Sequence, residues 1–407
     1  MNPDVLVIGA GAAGIAAARH LHEAGVATLL IEARDHVGGR AGTVHHAGAA
    51  LDLGCGWLHS ARRNSWTAIA RAAGFTIATD CANWSEQWRD LGYPPEDQAA
   101  FARAWNAWEA RARAAANGPD QPLSAFVTPD DRWRPLLDAL SGYINGANLS
   151  DVSLHDWLAY EDAATDDNWA LAEGYGTLVA QHADGVPLRL NTAASHVDHG
   201  GHHLRVTTTA GTITARLVVV AVPTPVLADE RLRFTPALPD KHATAAALPL
   251  GVADKAFIAV DRPEWPHDAH LIGNPHRACT ASHRLSPFGW PVIESFFGGD
   301  CADRLEDGDA AAFAIDELVT LLGNDWRQRL TPITTTRWRH EAWIEGSYSH
   351  ARIGYADQRA ALAQPINNRI FFAGEACSAH DFSTAHGAHD TGIAAARAAR
   401  LALASNA

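Results

Sequence analysis

Val5-Leu-Val-Ile-Gly-Ala-Gly-Ala-Ala-Gly14 decides the fold. Val5–Ile8 is a short apolar run of the kind a buried strand needs. Gly9, Gly11 and Gly14 follow at GxGxxG spacing. Ile15–Ala24 then has helical composition, with Gly25 where a helix C-cap belongs. Ala27–Glu32 is a second apolar strand, and Glu32 closes it 18 residues beyond Gly14. These pieces make a βαβ unit, and that context gives force to a glycine pattern that is weak alone. Gly9 permits the tight turn, Gly11 lets the backbone approach a pyrophosphate, and Gly14 lets the helix pack on the strand. The N–H groups at the helix start, around Ala12 and Ala13, and the positive end of its dipole face the phosphates. Glu32 is placed to accept hydrogen bonds from an adenosine ribose.

The next residues separate the dinucleotides that this spacing alone leaves open. Glu32-Ala-Arg-Asp-His-Val-Gly-Gly-Arg40 carries two adjacent glycines and two arginines. Gly38 and Gly39 bring backbone N–H groups to phosphate. Arg40 supplies charge-assisted bonds near a pyrophosphate or a flavin, and Ala33 and Arg34 continue the cofactor edge. The pattern favours FAD.

Outward from this unit the texture alternates. Residues 61–172 are rich in Ala, Arg and Trp, with a helical run at Asp97–Ala116. Gly174–Ala183 reads as a short helix and Val186–Leu190 as a strand. Leu204–Ala215 reads as a hairpin, and Leu217–Val222 as an apolar strand ended by Pro223. Residues 231–340 mix strands (Ala256–Val260, Val292–Phe297) with a helix near Ala310–Leu322. The chain closes with a strand at Ile370–Ala373, a loop and a terminal helix. The alternation predicts an α/β chain of two discontinuous domains, and the Glu32–Arg40 run, which resembles FAD proteins of the glutathione-reductase-like superfamily, implies an FAD-binding Rossmann-like (glutathione-reductase-like) domain plus a mixed α+β substrate domain. The first takes residues 1–60, 173–230 and 341–407; the second takes 61–172 and 231–340.

Composition bounds the partners. The 407 residues carry a formal net charge of -14. That balance argues against nucleic acid and anionic membrane and mildly attracts cations, amines included. No apolar stretch approaches the roughly 18 residues of a membrane helix. No leader is read at the N-terminus, where Asp4 runs directly into the first strand. Cys55, Cys81, Cys279, Cys301 and Cys377 are odd in number and form no CxxC. They predict neither a disulfide framework nor a zinc site, and a reducing, cytoplasmic setting fits. The 22 histidines show no metal spacing, so no metal is expected. No GxSxG elbow is present. A homodimer is left open.

The resemblance to flavin-containing amine oxidases runs the length of the chain. Asp52-Leu-Gly-Cys-Gly-Trp-Leu-His59 is similar to the family's glycine-rich segment, whose backbone lies along the flavin; this implicates Gly54, Cys55, Gly56 and Trp57. Its Trp-x-His form resembles the polyamine oxidase and lysine demethylase branches. Gly174-Tyr-Gly-Thr-Leu178 looks like the family's helix start, and Leu190–Val197 matches the strand that meets the adenine, at Ala194. Lys255, in Pro249-Leu-Gly-Val-Ala-Asp-Lys255, aligns with the family lysine that holds a water against flavin N5. Arg337-Trp338 with Gly346-Ser-Tyr-Ser349 resembles WxxDPxxxGSYS, with Glu341 and Ala342 in place of Asp-Pro. Phe371-Phe-Ala-Gly-Glu-Ala376 and Ser383-Thr-Ala-His-Gly-Ala388 are the most specific match. There the resemblance assigns Gly374 and Glu375 to the cofactor, and gives Thr384 and Ala385 to a helix start aimed at the flavin N1–C2=O edge. A helix N-terminus at that edge stabilises the negative charge of reduced flavin.

The departures carry expectations too. The segment Gly346–Gly354 holds no cysteine, so the FAD is expected to be non-covalent. Thr384 stands where monoamine oxidases have a cage tyrosine. Ala388-His-Asp-Thr-Gly-Ile393 differs from the family's Leu-Ser-Gly. The resemblance implies oxidation of an amine or polyamine: hydride leaves the α-carbon, the imine is hydrolysed, and oxygen takes the electrons to give hydrogen peroxide. Lys255 is the expected catalytic residue. Trp338, His59, Trp57, Tyr348, Phe382 and Thr384 are the candidate pocket. An L-amino acid substrate would need a carboxylate-binding arginine in that pocket, and the sequence alone places none. Two other readings stay open: a desaturase- or protoporphyrinogen-oxidase-like dehydrogenase, and a non-catalytic protein that keeps the dinucleotide fold.

Overall fold

Val5–Ile8 is buried at every residue, and it lies at the centre of a five-stranded parallel sheet. The order across the sheet is Ile370–Phe372, Leu217–Val220, Val5–Ile8, Thr28–Ile31 and Leu188–Arg189. The structure, a computed structural model, describes residues 2–80, 84 and 86–405. Successive strand residues face opposite sides. Val5 and Val7 enter a core with the helices Ala12–Glu23 and Ala385–Ser405. Leu6 and Ile8 enter another with Val197, Leu204 and Val206 of a four-stranded sheet. Burial on both faces is why these strands are apolar without alternation.

The first and last helices pack along each other. A Cβ on Gly392 would lie 2.1 Å from the Ala13 carbonyl oxygen, so only glycine permits this approach. The C-terminal segment thus returns to the N-terminal βαβ unit.

The other large sheet is antiparallel, in the order Ala269–Ile272, Ser282–Leu285, Val292–Gly298, Ala253–Val260, Leu330–Thr335. Ala256, Ile258, Leu271, Leu285, Ile293 and Phe297 point to one side, where helix Ala310–Leu322 covers them. Lys255, Arg284, Glu294 and Phe296 belong to the opposite side by register. On that side Phe257 and Val292 pack on Ala49 and Leu51, which fixes the sheet against the glycine-rich segment that follows Asp52.

Three sequence expectations change. Leu190–Val197 is not one strand: Leu188–Arg189 belongs to the parallel sheet and Ala194–Asp198 to the four-stranded one. The chain changes sheets at Asn191, whose φ of 52° is left-handed. Residues 61–172 supply the expected helices, but Ser65–Ala72 sends Trp66 and Ala70 into the core beneath the first helix. Finally, Cys279 and Cys301 form a disulfide, with their Cα atoms 4.7 Å apart. Spacing missed it because the two cysteines meet through tertiary packing, and the pairing removes the cysteine-based ground for a reducing compartment. Cys81 lies outside the described residues. Among the described residues no helix is long and apolar enough to cross a membrane.

Candidate functional site

The first helix starts at Ala12 with Gly11 as its N-cap, and no side chain caps it. The Ile15 N–H is bonded to the Gly11 carbonyl, so the N–H groups of Ala12, Ala13 and Gly14 have no partner among the described residues. Gly9, at φ 99°, turns the chain here, and a Cβ on Gly14 would lie 1.8 Å from the Gly9 carbonyl oxygen. Gly38 donates to the Ala10 carbonyl (2.8 Å), and a Cβ on Gly39 would lie 3.0 Å from the Gly11 Cα. Two glycine turns therefore meet at one helix N-terminus, a cradle for an anion.

Glu32 sits at the end of its strand with its carboxylate oriented by the N–H groups of Ala10 (2.7 Å) and Arg34 (3.0 Å). Arg34 in turn donates to the Gly39 carbonyl at 2.7 Å. Ala33 joins these two residues. Ala194 lies in the adjacent four-stranded sheet, and Thr192 N–H donates to the Glu32 carbonyl at 2.7 Å.

Arg40 links this end to the C-terminal run. Its Nη1 donates to Glu375 Oε1 at 3.0 Å and to the Ser347 carbonyl. Glu375 also accepts from Ser349 Oγ (2.7 Å) and the Ser383 N–H (2.9 Å). Arg359 donates to Ser349 Oγ (2.9 Å) and pairs with Asp156 at 2.6 Å, both side chains buried. Burial would raise the Glu375 carboxyl, but Arg40 and Arg359 outweigh it and hold it below its ordinary value. Gly374, at φ 146°, precedes Glu375, and a Cβ there would meet nothing within 4 Å.

The glycine-rich segment is equally constrained. A Cβ on Gly54 would lie 1.8 Å from the Arg40 carbonyl oxygen. Asp52 is half-buried beneath the segment. It accepts from Thr43 Oγ1 (2.6 Å) and the Tyr175 N–H (2.8 Å), and burial raises its carboxyl. Burial, with Asp52 nearby, pushes the Cys55 thiol up to about 12, so it stays protonated.

Lys255 reaches this segment from the antiparallel sheet. Its Nζ donates to the Asp52 carbonyl (2.8 Å), pairs with Glu294 Oε1 (2.7 Å), and lies 3.4 Å from where a Gly56 Cβ would be. Trp338, buried, comes within 3.3 Å of the Gly54 Cβ position. Trp57 lies under the Arg284 guanidinium at 4.4 Å and meets Trp84 edge-on. Lys255, Trp338 and Trp57 thus converge on Gly54–Trp57.

The remaining candidates have local partners. His59 Nδ1 is 2.6 Å from Asn168 Oδ1, and burial lowers its pKa. The Tyr348 hydroxyl donates to the Tyr143 carbonyl. The Phe382 ring is covered by Arg359 at 3.6 Å. Thr384 caps the terminal helix: its hydroxyl accepts from the Gly387 N–H at 3.0 Å and donates to the Asp381 carbonyl at 2.6 Å. The N–H groups of Ala385 and His386 are left without partners among the described residues. They form a second helix N-terminus available to an anion.

Sequence reading missed Glu294, Arg284, Asp52 and Arg359 as parts of this site. Glu294 did leave a signal: a lone carboxylate inside the apolar strand Val292–Gly298 demands a buried partner.

The residues present fit a flavin dinucleotide. The uncapped first helix and the paired glycine turns suit a pyrophosphate, Glu32 a ribose, and the second helix N-terminus a ring edge that gains negative charge.

Comparison with known proteins agrees. The family profile described as flavin containing amine oxidoreductase matches residues 12–160 and 97–400. Polyamine oxidase 4 of Oryza sativa subsp. japonica is 29% identical over 97% of this chain and 88% of its own length. Lysine-specific histone demethylase 1 homolog 2 of the same organism is 28% identical over 96% of this chain and 56% of its own length. Among solved structures, wild-type putrescine oxidase bound to putrescine superposes with a TM-score of 0.77 over 98% of both chains. At 17% identity that likeness concerns the fold.

Proposed function

The chain belongs to the flavin containing amine oxidoreductases, and from that premise we propose that it is an oxidase for an amine whose α-carbon is held above the Gly54–Trp57 segment beside Lys255. The single observation carrying this reading is the placement of Lys255. A buried ammonium fixed to both the Asp52 carbonyl and Glu294 stands at the segment that lines the cofactor. A bound flavin would supply the two-electron acceptor for the α-hydrogen, with oxygen as the final acceptor and hydrogen peroxide as its product.

The chain's own residues do the rest. Lys255 holds a water at the reacting face, and Trp338 and Trp57 wall the amine from bulk solvent. A dry site strengthens every electrostatic contact inside it. The imine that leaves this site is hydrolysed to a carbonyl compound. The terminal helix, capped by Thr384, aims the free N–H groups of Ala385 and His386 at the ring edge where negative charge develops. Gly9, Gly11, Gly39, Glu32, Arg34, Arg40 and Glu375 bind the dinucleotide. The bond to FAD is non-covalent: the segment 346–354 offers no cysteine, and the Cys55 thiol is held protonated.

The test is an anaerobic titration of the purified yellow protein with amines. Loss of the flavin's visible band on adding an amine, and peroxide formation when air returns, supports the reading. A flavoprotein that no amine or amino acid reduces overturns it and favours carbon–carbon dehydrogenation.

A further inference from the structure

Behind Trp338, on the face of the antiparallel sheet turned away from Lys255, two carboxyl groups are buried against each other. Asp254 is 2% exposed and Glu306 3%. Asp254 lies on the strand Ala253–Val260, and Glu306 ends the helix Gly299–Glu306. Asp254 Oδ1 accepts from Thr336 Oγ1 at 2.6 Å and from the Trp338 N–H at 3.2 Å. Asp254 Oδ2 is buried and has no donor among the described residues. The Glu306 carboxyl faces Asp254, and the two bond to each other when one of them carries a proton. Glu306 also holds the next link of the chain. Its Oε1 accepts from the Arg339 N–H at 2.8 Å, and its Oε2 is 2.5 Å from His340 Nδ1. Consecutive N–H groups of the turn Trp338–His340 are therefore fastened to opposite members of one carboxyl pair.

Lysine and arginine leave this pair uncompensated among the described residues. Lys255 Nζ is on the opposite face, bound to the Asp52 carbonyl and Glu294. The Arg339 guanidinium turns to Asp303 and the Glu345 carbonyl, and Arg304 and Arg337 are exposed. The covering helix Ala310–Leu322 sends Glu317 to Thr280 and Asp316 to Arg327. The flanking strand Leu330–Thr335 has no titratable side chain. Tyr348 is held protonated by burial, with Tyr160 and Asp254 adding to the effect. Burial, and then the Glu306 carboxyl, push the Asp254 carboxyl up to about 7.

We propose that Asp254 is a positioning residue for Trp338: a proton bridging Asp254 and Glu306 keeps the Trp338–His340 turn seated on Gly54, and its loss releases the turn from the glycine-rich segment. With both carboxyls ionised, the two repel in a water-poor interior, and Asp254 Oδ2 is left without a partner. Asp254 lies in a strand paired on both sides and does not retreat. Glu306 ends its helix next to exposed Asp307, so the Glu306 side yields and draws the Arg339 N–H with it. His340 is half-exposed, which gives the bridging proton a hydrogen-bonded way to water. The seat of Trp338, 3.3 Å from the Gly54 Cβ position, thus depends on pH near neutrality. The consequence for amine affinity rests on the reading of Trp338 as a wall of the amine pocket.

Asp254→Asn keeps the shape without the proton: its amide donates to Glu306, and its oxygen still accepts from Thr336 and Trp338. Hydrogen exchange of the peptide carrying the Trp338 and Arg339 N–H groups compares this variant with wild type on the intact flavoprotein. The ratio of the two rates cancels the intrinsic pH dependence of exchange. Wild type should gain on the variant by about tenfold between about pH 6 and about pH 8.5. In urea, the folded wild type holds a proton that its unfolded chain has lost. Its unfolding constant should therefore gain on the variant's by up to about tenfold per pH unit from the ordinary carboxylate range to about pH 7, then level off. Asp254→Ala should exchange fast at every pH, and His340→Gln should keep the wild-type dependence. An exchange ratio flat with pH, or a dependence lost in His340→Gln and kept in Asp254→Asn, overturns the assignment. Benzylamine and spermidine then probe the pocket by anaerobic flavin reduction, and their own ionisation cancels between the two proteins. The wild-type apparent Kd should weaken about fivefold relative to Asp254→Asn over the same range. Exchange that responds while the two Kd values stay in step refutes the link between the turn and the amine pocket. Failure of every amine to bleach the flavin refutes amine oxidation alone, since the exchange ratio is read without substrate.

Discussion

Lys255 Nζ and Glu294 Oε1 lie 2.7 Å apart across two neighbouring strands, with 7% and 14% of their side chains exposed. A pair this buried is stable only as a pair, since a lone charge in the interior is severely penalised. Lys255→Met should therefore lower stability by about 3 kcal/mol in denaturant unfolding. It should also slow anaerobic flavin reduction by about 100-fold or more. Adding Glu294→Gln should recover stability and leave the rate low. A double variant that regains the rate would show that Lys255 acts only through packing.

Gly54 is held where a Cβ would sit 1.8 Å from the Arg40 carbonyl oxygen. Gly54→Ala must push the segment away from Arg40 or displace Arg40 itself, and Arg40 is bonded to Glu375. The expected result is a folded protein that purifies with little flavin, its affinity reduced by at least about tenfold, equivalent to about 1.4 kcal/mol. The flavin-to-protein absorbance ratio reads this directly. A fully yellow variant would show that the segment does not border the cofactor.

The N-terminal βαβ unit was legible because its chemistry is local. Glycine spacing, strand and helix all lie within residues 5–32. The C-terminal run was legible by resemblance, and Thr384 and Ala385 do open a helix there. Glu294 and Arg284 were not legible. Their meeting depends on the register Arg284↔Glu294 between the strand Val292–Gly298 and the strand Ser282–Leu285, whose Ser-His-Arg-Leu sequence carries no apolar run to mark it. The sequence offers Phe382 and Tyr348 as pocket candidates, behind Trp338. Their surroundings, Arg359 on the ring of one and the Tyr143 carbonyl on the hydroxyl of the other, come from segments more than 20 and 200 residues away. The Cys279–Cys301 pairing escaped for the same reason.

Glu375 makes stability depend on acid in a defined sense. Burial works against its charge, but Arg40 and Arg359 hold the folded carboxyl below its unfolded value. Its contribution is fully present above the ordinary carboxylate range and is lost as pH falls through the lowered folded value. Wild-type unfolding free energy should therefore decline on acidification below about pH 4.5. Glu375→Gln should flatten part of that decline while lowering stability near neutrality, because Arg40 loses its partner. An unchanged acid limb in the variant would assign the dependence to other carboxylates, Asp381 first among them, since Arg63 and His386 also hold it low against burial.

The Cys279–Cys301 bond joins residues 22 apart in sequence. It ties the stretch before the strand Ser282–Leu285 to the helix Gly299–Glu306, and Cys301 is buried in the core behind that sheet. Closing a loop of this length restricts the unfolded chain by about 3 kcal/mol. The paired substitution Cys279→Ser and Cys301→Ser should lower the urea midpoint accordingly, and reductant should lower wild type toward the variant. A variant with the wild-type midpoint, unaffected by reductant, would show that the two thiols are not joined in the purified protein.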